Sequence, residues 1–417
     1  MIGDSAALAA ALKRFEGLYP ETIELSLGRV EAALAALGRP QDRLPPVIHV
    51  AGTNGKGSTS AFMRAMAEAA GLKVHVFTSP HLVRFNERIR LAGEIVDDAR
   101  LIAWLDRTFE ALTGLQITHF EATTAAALLA FSEVPADLLI LEVGLGGRFD
   151  ATNVIEAPAL CVITPVDFDH KAFLGSDIRK IAGEKAGIIR PHRPVLTAIQ
   201  RKVCDEVIAR EAARLDAPLY RLKAHFIDAM PQDISLIGEH QRGNAALAAM
   251  AMQLFGESTR ISQAAIFEGA RTATWPARMQ RLGPGPVTAL APNAEVWLDG
   301  GHNPHAARAI AYHLKRLPGK TVLVTAMLAS KDATGFFLPF RHLKPDVFTL
   351  PNAPGHRGAE PHDLAEAART AGLDVTVCDS LDAAVTAAAA TGADRILICG
   401  SLYLSGDVLA RNLEPPE

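Results

Sequence analysis

The segment VIHVAGTNGKGSTSAFMRAMAEAAG, residues 47–71, contains an apolar run, a glycine-rich turn and a helical pattern, in that order. The apolar run has the length and composition of a buried β-strand. The turn holds Gly52, Gly55 and Gly57, and a long amphipathic stretch follows it. Glycines allow several backbone N–H groups to face one anion, and the first turn of a helix adds positive potential. The segment therefore predicts a phosphate-binding turn between a strand and a helix.

Lys56 and the hydroxyl residues after it add to this prediction, because a lysine can reach phosphate oxygens and a hydroxyl can bind Mg²⁺. The strict pattern is G-x-x-x-x-G-K-[ST]. This turn is shorter before Gly55, and Gly57 separates Lys56 from Ser58. Ser58 is thus the predicted metal ligand, with Thr59 as second choice. The alternative is an ordinary strand–helix turn with a solvated lysine, but the order of strand, glycines, lysine, hydroxyl and helix favours phosphate.

The base of a bound nucleotide is predicted to be adenine rather than guanine. Guanine-binding switches usually carry Asn or Thr before a Lys-x-Asp sequence. Here Lys-x-Asp occurs in LKPD, where Leu343 precedes the lysine.

Composition limits the class of protein. A chain of 417 residues with 49% hydrophobic and 21% charged residues is globular and long enough for two domains. The net charge of −4 argues against nucleic acid and a membrane surface as partners, although it leaves room for a small anionic ligand. The first 17 residues carry Asp4 in place of a cationic start, which argues against a signal peptide. Four cysteines without a Cys-x-x-Cys pair suggest reduced thiols. We expect a cytoplasmic monomer.

Short apolar runs alternate with amphipathic segments, which is typical of parallel sheets with helices on both faces. Predicted strands of the first part are PVIHV, KVHVFT, DLLILEV, ALCVIT and PVLTA. Those of the second part are EVWLD, TVLVTAM, DVFTL, DVTVC and RILICG. Two glycines and two prolines in RLGPGPV, residues 281–287, indicate a linker. We predict domains 1–285 and 286–417.

Two predicted strands end in side chains suited to a hard metal ion. Glu142 closes DLLILE and precedes a glycine-rich turn, and Asp169 and His170 follow ALCVIT. The carboxyl ends of parallel strands are where open α/β sheets bind ligands, and oxygen ligands suit Mg²⁺. Glu142 alone is as readily a helix cap, and a lone histidine is more often a packing residue. Because these side chains and the phosphate turn are predicted at one edge of the sheet, we favour a metal site over these alternatives.

Lys185 in IAGEKAGIIRP lies next to Glu184, and the simple reading is an exposed charge pair on a helix. An ammonium group facing Mg²⁺ at about 4 Å would cost roughly 8 kcal/mol at an effective dielectric constant of about 20. A neutral or carbamylated lysine would avoid that cost. The residues themselves leave these options open.

The ordered motifs identify a family by resemblance. HVAGTNGKGSTSAF, TSPHLVRFNERIRLAGEIV, LEVGLGGRFDATN, HQRGNAALA, WPARMQ, DGGHNPHA and CGSLYLSGDVL occur in sequence and cover nearly the whole chain. Together they resemble the folylpolyglutamate synthases and bacterial dihydrofolate synthases of the Mur ligase superfamily. The resemblance implies an α/β fold with a large P-loop-type parallel-sheet ATPase domain, followed by a smaller Rossmann-like α/β domain.

The resemblance also implies a reaction. ATP would phosphorylate a pterin-bearing carboxylate, and the amine of L-glutamate would attack the acyl phosphate. Two anions must meet in the first step, which requires neutralisation by Mg²⁺ and Lys56. The acyl phosphate must be shielded from water, so closure of two domains is expected. The implied ligands are ATP, two Mg²⁺ ions, L-glutamate, and dihydropteroate or a reduced folate.

Site residues follow from the resemblance, motif by motif. The implied catalytic residues are Lys56, Lys185, Asp299 and His302. The implied nucleotide contacts are Gly52, Thr53, Asn54, Gly55, Lys56, Gly57, Ser58, Asn244, Arg278 and Asp299. Metal ligands would be Ser58 and Glu142 for one ion, and Glu142, His170 and a carbamylated Lys185 for the second. Substrate contacts would be Ser79, His81, Phe120, Asp150 and Ser401.

Three positions depart from the usual family motifs. Ala277 replaces the glycine of WPGR, Gly301 replaces the alanine of DGAHNP, and ITPVDFDH differs from ITSIGLDH. Each motif keeps its charged or histidine residue. We therefore expect these substitutions to change the local backbone geometry and not to abolish activity.

Two other functions remain as alternatives. A Mur-type ligase acting on a cell-wall nucleotide peptide or storage polymer would share the phosphate turn but leaves SPHLVRFNERI unexplained. A nucleotide-binding switch that makes no product would have no use for the motifs beyond that turn.

Overall fold

The computed structural model contains two α/β domains built on two separate sheets. It describes residues 3–18, 26–256, 261–353 and 357–417. The strands of the first sheet are β1 (Val47–Ala51), β2 (Val74–Phe77), β3 (Ile89–Leu91), β4 (Glu94–Ile95), β5 (Leu138–Glu142), β6 (Leu160–Ile163), β7 (Val195–Thr197) and β8 (Leu219–Arg221). Those of the second sheet are β9 (Gln280–Arg281), β10 (Glu295–Asp299), β11 (Thr321–Thr325), β12 (Val347–Thr349), β13 (Val375–Val377) and β14 (Arg395–Cys399).

Helices cover both sheets. The helices before residue 280 are α1 (Ala6–Lys13), α2 (Gly28–Ala36), α3 (Lys56–Ala69), α4 (Asp98–Ala111), α5 (His119–Glu133), α6 (Lys171–Leu174), α7 (Ile178–Ala186), α8 (Lys202–Arg214), α9 (Ala224–Asp228), α10 (Glu239–Gly256) and α11 (Gln263–Thr272). The later ones are α12 (Pro304–Leu314), α13 (Ala333–Phe337), α14 (Pro361–Thr370), α15 (Leu381–Ala390) and α16 (Leu402–Arg411). Short 3₁₀ helices span Arg14–Leu18, Pro40–Arg43, Phe85–Arg88, Thr288–Leu290 and Leu338–Phe340.

The first sheet has the order β4-β3-β2-β5-β1-β6-β7-β8, and the second has the order β13-β12-β11-β14-β10-β9. Pairing is parallel except at the edges, where β3 pairs antiparallel with β2 and β4, and β9 with β10. The sequence-based prediction of two parallel-sheet α/β domains is therefore confirmed, with all ten predicted strands present. The boundary near residue 285 stays a prediction, and β9 already pairs with the second sheet before it.

Alternate residues of the central strands enter different hydrophobic cores. In β1 and β5, Val47 and Leu139 pack on one face while Ile48 and Ile140 pack on the other. In β14 the same alternation places Ile396 in one core and its neighbour in another. Successive side chains of a strand point to opposite faces, so both faces of each sheet are buried beneath helices. This burial on both sides explains why the strands are continuous apolar runs.

β1 lies between β5 and β6 in the first sheet, so its carboxyl end faces a crevice between neighbouring strands. Val50 is in register with Glu142, and Ala51 with Ile163. The turn after β1, the last residue of β5 and the segment after β6 therefore meet at one edge. Ligands of open α/β sheets bind at such an edge.

Within the ranges described, no helix is long and apolar enough to cross a membrane. Cys161, Cys204, Cys378 and Cys399 are all buried, and none of them forms a disulfide.

The packing of α11 on α3 depends on Gly269. A Cβ atom at this position would lie 2.3 Å from the backbone nitrogen of Met66. Because the clash is with backbone, no side-chain rotation relieves it. We expect Gly269→Ala to lower the free energy of unfolding by about 1–3 kcal/mol, the usual cost of overpacking a tight core. Urea denaturation measures this change.

Gly243→Ala is the matched control for that measurement. Gly243 lies inside α10, and a Cβ there would have nothing within 4 Å. Alanine is a better helix former than glycine by about 1 kcal/mol, so this variant should unfold at the same or a higher urea concentration. Equal midpoints for Gly269→Ala and wild type would contradict the predicted packing constraint.

Candidate active site

The glycine-rich turn between β1 and α3 is shaped by close contacts that leave no room for side chains. Gly52 has φ +153° and Gly55 has φ +85°, both in the region that favours glycine. A Cβ at Gly52 would lie 1.8 Å from Oγ1 of Thr164, and one at Gly55 would lie 2.5 Å from Oδ1 of Asn244. The turn leads directly into α3, whose N-cap is Gly55 and whose N-terminus has no side-chain cap. Its first backbone N–H groups are thus available to an anion.

Two lysines converge behind this turn. Nζ of Lys185 donates to the carbonyl oxygen of Gly52 at 2.9 Å, and Nζ of Lys56 donates to the same oxygen at 3.3 Å. Burial lowers the pKa of Lys185 to about 7, and the positive charge of Lys56 contributes in the same direction. The simple expectation of an exposed Lys185–Glu184 charge pair is therefore wrong, because the ammonium nitrogen of Lys185 points into the protein.

Glu142 lies beside Lys56 at the end of β5. Its Oε1 is 3.9 Å from Nζ of Lys56, and its Oε2 is buried without a hydrogen-bond partner. Burial raises the pKa of Glu142 to about 7, although the charge of Lys56 acts in the opposite direction. An unpaired buried carboxylate oxygen is costly, and a cation at this point would satisfy it.

The residues fit a metal ion at Glu142 better than they fit a second one. Ser58 and Glu142 line the same cavity, and both supply oxygen, which suits Mg²⁺. Among the described residues, no group of three or more His, Cys, Asp and Glu side chains has metal-binding geometry. No hydrogen bond or ion pair in the described part joins Glu142, His170 and Lys185 to one another. His170 has an exposed side chain and a left-handed backbone, with φ +49°.

The second domain brings its own polar cluster to the same place. Asp299 ends β10 and is buried, and its carboxylate accepts hydrogen bonds from the backbone N–H of Met279 at 2.9 Å and of Gly301 at 2.7 Å. Burial raises the pKa of Asp299, while the nearby charge of Arg278 lowers it. A Cβ at Gly301 would lie 2.8 Å from Oδ1 of Asp299. The absence of a methyl group at Gly301 thus leaves room for this carboxylate.

Side chains of the two domains bind each other at the turn. The amides of Asn54 and Asn303 exchange hydrogen bonds of 3.1 and 3.0 Å. Asp169 accepts from Nζ of Lys331 at 2.6 Å and from the amide of Asn303 at 3.0 Å, and it lies 3.4 Å from Nε2 of His302. The side chains of Asp169 and Lys331 are only 8% and 9% exposed. The carboxyl of Asp169 is therefore held between groups that belong to the second domain.

The charge on Asp169 follows from these partners. Burial by itself would raise its pKa, but the hydrogen bond with His302 and the charge of Lys331 outweigh burial and hold the pKa well below its usual range. Nδ1 of His302 donates to the carbonyl oxygen of Gly300 at 2.8 Å. The imidazole is thus fixed on both sides.

These groups surround one cavity of about 890 Å³ between the two domains. Sixteen of the sequence-predicted site residues line it, namely Thr53, Asn54, Gly55, Lys56, Gly57, Ser58, Ser79, Phe120, Glu142, Asp150, His170, Asn244, Arg278, Asp299, His302 and Ser401. Gly52, His81 and Lys185 do not line it. The amine of Lys185 lies behind the turn, on the carbonyl oxygen of Gly52, and the imidazole of His81 accepts a hydrogen bond from Arg88.

Several predicted side chains are already engaged with the protein. The amide of Asn244 donates to Oε1 of Gln241 at 2.9 Å, and Arg278 donates to the carbonyl oxygen of the preceding residue at 2.7 Å. Oγ of Ser401 caps α16 by accepting from the backbone N–H groups of residues 403 and 404. Asp150 accepts hydrogen bonds from the hydroxyl of Thr152 at 2.6 Å and from two backbone N–H groups of its own loop.

The cavity also contains residues that sequence reasoning did not select. They include Arg29, Arg88, Glu121, Phe149, His305, Lys331 and Tyr403. Lys331 had a local signal, because a polar SKD sequence follows the buried strand β11. Arg88 lies in SPHLVRFNERI, the stretch in which Ser79 and His81 are the predicted substrate contacts. Phe149, His305 and Tyr403 lie inside motifs named above but were not singled out within them. Arg29 and Glu121 lie on α2 and α5 and pair with each other.

Ala277, at a family glycine position, has φ +54°. This left-handed backbone costs a non-glycine residue roughly 1–2 kcal/mol. The methyl group of Ala277 is buried in the core of the second domain, which offsets part of that cost.

Known proteins share this arrangement. Residues 277–402 match the model of the glutamate ligase domain of Mur ligases. The dihydrofolate synthase/folylpolyglutamate synthase of Bacillus subtilis is 35% identical over 425 aligned residues, covering 93% of this chain and 95% of the relative. The structure of E. coli FolC in complex with DHPP and ADP superposes with a TM-score of 0.83, at 32% identity, over 97% of both chains.

A further solved structure shows a bifunctional folylpolyglutamate synthase/dihydrofolate synthase with Mn, AMPPNP and L-glutamate bound. It superposes with a TM-score of 0.82 at 30% identity, again over 97% of both chains. Identity of this extent over nearly full length, together with the shared two-domain architecture, assigns the family. The chain belongs to the dihydrofolate synthase/folylpolyglutamate synthase family of Mur ligases, which are ATP-dependent amide ligases.

Proposed function

We propose that this chain uses ATP to join L-glutamate to the carboxyl group of dihydropteroate, and also to reduced folates. The observation that carries the proposal is the shared cavity, in which the glycine-rich turn with Lys56 faces Asp299, His302 and Ser401 of the second domain. The ligands of the solved relatives agree with such a reaction: ADP is its product, AMPPNP is an analogue of ATP, and L-glutamate is a substrate.

In the first step, an oxygen of the acceptor carboxylate attacks the γ-phosphorus of ATP, and ADP leaves. Both reactants are anions, so the step needs positive charge between them. Lys56 and the N-terminus of α3 provide it from the first domain. Mg²⁺ held by Ser58 and Glu142 would neutralise more of the phosphate charge. We also propose that a second Mg²⁺ ion is held by Glu142, His170 and Lys185.

In the second step, the amine of L-glutamate attacks the acyl carbon of the acyl phosphate. Phosphate leaves from the tetrahedral intermediate and the nitrogen loses a proton, which gives the amide. His302 and Asp299 lie on the second-domain side of the cavity, where the glutamate ligase domain begins. We propose that they align the amine and the leaving phosphate, while Asn244 and Arg278 hold the nucleotide. Ser79, Phe120 and Asp150 line the region proposed for the pterin.

Lys185 supports a specific modification. A buried lysine with a pKa of about 7 has a substantial fraction of neutral amine. A neutral amine adds to carbon dioxide and releases one proton, giving a carbamate anion. This anion would replace the repulsion between Lys185 and Lys56 by attraction and would present oxygen atoms to a metal. We therefore propose that Lys185 acts as the carbamate.

The test is a substrate panel with product analysis by mass spectrometry. Purified protein is incubated with MgATP, L-glutamate and dihydropteroate, then with tetrahydrofolate, and finally with a uridine-nucleotide peptide. We expect addition of one glutamyl residue to dihydropteroate and one or more to tetrahydrofolate, with ADP formed in equal amount. A reaction with the uridine nucleotide alone, or tight nucleotide binding without product, would overturn the proposal.

A further inference from the structure

The segment after Ser79 folds into a hydrogen-bonded loop, from which Pro80 and Arg88 line the cavity. Glu87 accepts hydrogen bonds from the backbone N–H groups of residues 82, 83 and 84 at 2.7–2.8 Å. The amide nitrogen of Asn86 donates to the carbonyl oxygen of Val96 and to Asp98, both at 2.9 Å. The amide nitrogen of Asn86 and the carboxylate of Glu87 are thus used to build the loop.

Arg88 differs from these neighbours. Its Nε donates to Nδ1 of His81 at 2.9 Å, and its guanidinium carbon lies 4.9 Å above the ring of Phe85. In the described part of the chain, its two terminal nitrogens make no hydrogen bond or ion pair, and Arg88 lines the cavity. His81 and Phe85 therefore fix the plane of the guanidinium and leave its outer edge for a ligand.

The second domain lies directly against this loop. A Cβ at Gly406, in α16, would be 1.9 Å from the carbonyl oxygen of Leu82, so the helix and the loop are in backbone contact. Ser401 and Tyr403, at the start of α16, line the cavity with Arg88. The glutamate ligase model ends at residue 402, where α16 begins. Arg88 thus approaches the region where that domain would hold its amino acid.

We propose that Arg88 binds a carboxylate of the incoming L-glutamate and that His81 is the positioning residue that orients it. This assignment rests on the proposed function and names one group of its amino-acid site. A planar guanidinium with two free N–H groups on one edge matches a carboxylate in a bidentate pair. His81, predicted from the sequence as a substrate contact, does not line the cavity, and in this proposal it acts by orienting Arg88.

Steady-state kinetics with dihydropteroate tests the assignment, because the single carboxylate of this acceptor is the group that reacts. Arg88→Met should raise the KM for L-glutamate roughly 10–100-fold, the range expected for hydrogen bonds to a charged group. The KM values for dihydropteroate and MgATP should stay within about threefold of wild type. His81→Ala should raise the glutamate KM to a smaller extent, and His81→Asn, which keeps an acceptor, should restore it.

Arg90→Met is the matched control. Arg90 follows on β3 and donates to the carbonyl oxygen of Gly93 at 2.8 Å, but it does not line the cavity. Its loss should leave the glutamate KM unchanged. A rise in the dihydropteroate KM alone for Arg88→Met would assign Arg88 to the acceptor, and unchanged KM values would remove it from the site. If wild-type protein forms no glutamylated product, the proposed function fails and this assignment with it. If wild type is active, the Arg88 result tests the assignment alone.

Discussion

Lys185→Ala should lower kcat by more than about 100-fold, since even outer-shell partners of metal ligands are worth about 10–100-fold. The side chain is buried, and its amine donates to the Gly52 carbonyl behind the phosphate-binding turn. Removing it deletes the proposed carbamate and leaves a cavity beneath the turn. Turnover is measured as ADP release dependent on dihydropteroate and glutamate. Added short-chain carboxylates should restore part of the activity, because they supply the missing oxygen atoms.

Lys180→Ala provides the control on the same helix, α7, where Lys180 is exposed. Its activity should equal that of wild type. The carbamate itself is observable without turnover, because ¹³C-bicarbonate should give a carbamate NMR signal in wild-type protein that is absent from Lys185→Ala. Full activity of Lys185→Ala would end the role proposed for this residue.

Lys56→Met should lower kcat/KM for ATP on the order of 10²–10³-fold, similar to the loss of one preorganised donor at a developing charge. Lys56 lies between the turn and Glu142, 3.9 Å from that carboxylate. Without its positive charge, less of the repulsion between the γ-phosphate and the carboxylates of Glu142 and the acceptor would be neutralised. Single-turnover formation of ADP separates this effect on chemistry from nucleotide affinity.

Lys73→Met serves as control for Lys56→Met, because Lys73 is exposed and lies at the start of β2, outside the cavity. It should bind ATP and form ADP in the ligation reaction at the wild-type rate. If Lys56→Met kept the wild-type rate of ADP formation, the phosphate role of the turn would have to be assigned elsewhere.

The sequence predicted those features correctly whose residues all lie in one contiguous segment. The turn at residues 52–57 was predicted in place because strand, glycines, lysine and helix are contiguous. The long central strands were predicted because burial on both faces makes them continuous apolar runs. The strands β3, β4, β8 and β9 were not predicted. They have two or three residues each, and every one contains an arginine or a glutamate, so they lack the apolar character of the equally short β7, β12 and β13.

Contacts between residues that are far apart in the sequence could not be predicted in this way. The partners Asp169 and Lys331 are 162 residues apart, and only the packing of two domains brings them to 2.6 Å. Likewise, His81 and Arg88 lie only seven residues apart, and the sequence does not show that their side chains are hydrogen-bonded or that Arg88 rather than His81 lines the cavity. The sequence indicated that this loop contacts a substrate, and the structure shows which of its side chains line the cavity.

The junction at Asn54 and Asn303 joins two amides, which carry no net charge. Its strength should therefore be almost independent of ionic strength, since salt screens charges rather than neutral dipoles. The neighbouring Asp169–Lys331 pair is charged, but it is shielded from solvent and so is screened only weakly. These two contacts between the domains should thus persist when the salt concentration changes, whereas the ion pair of Arg308 with Asp167, whose arginine side chain is 50% exposed, should weaken.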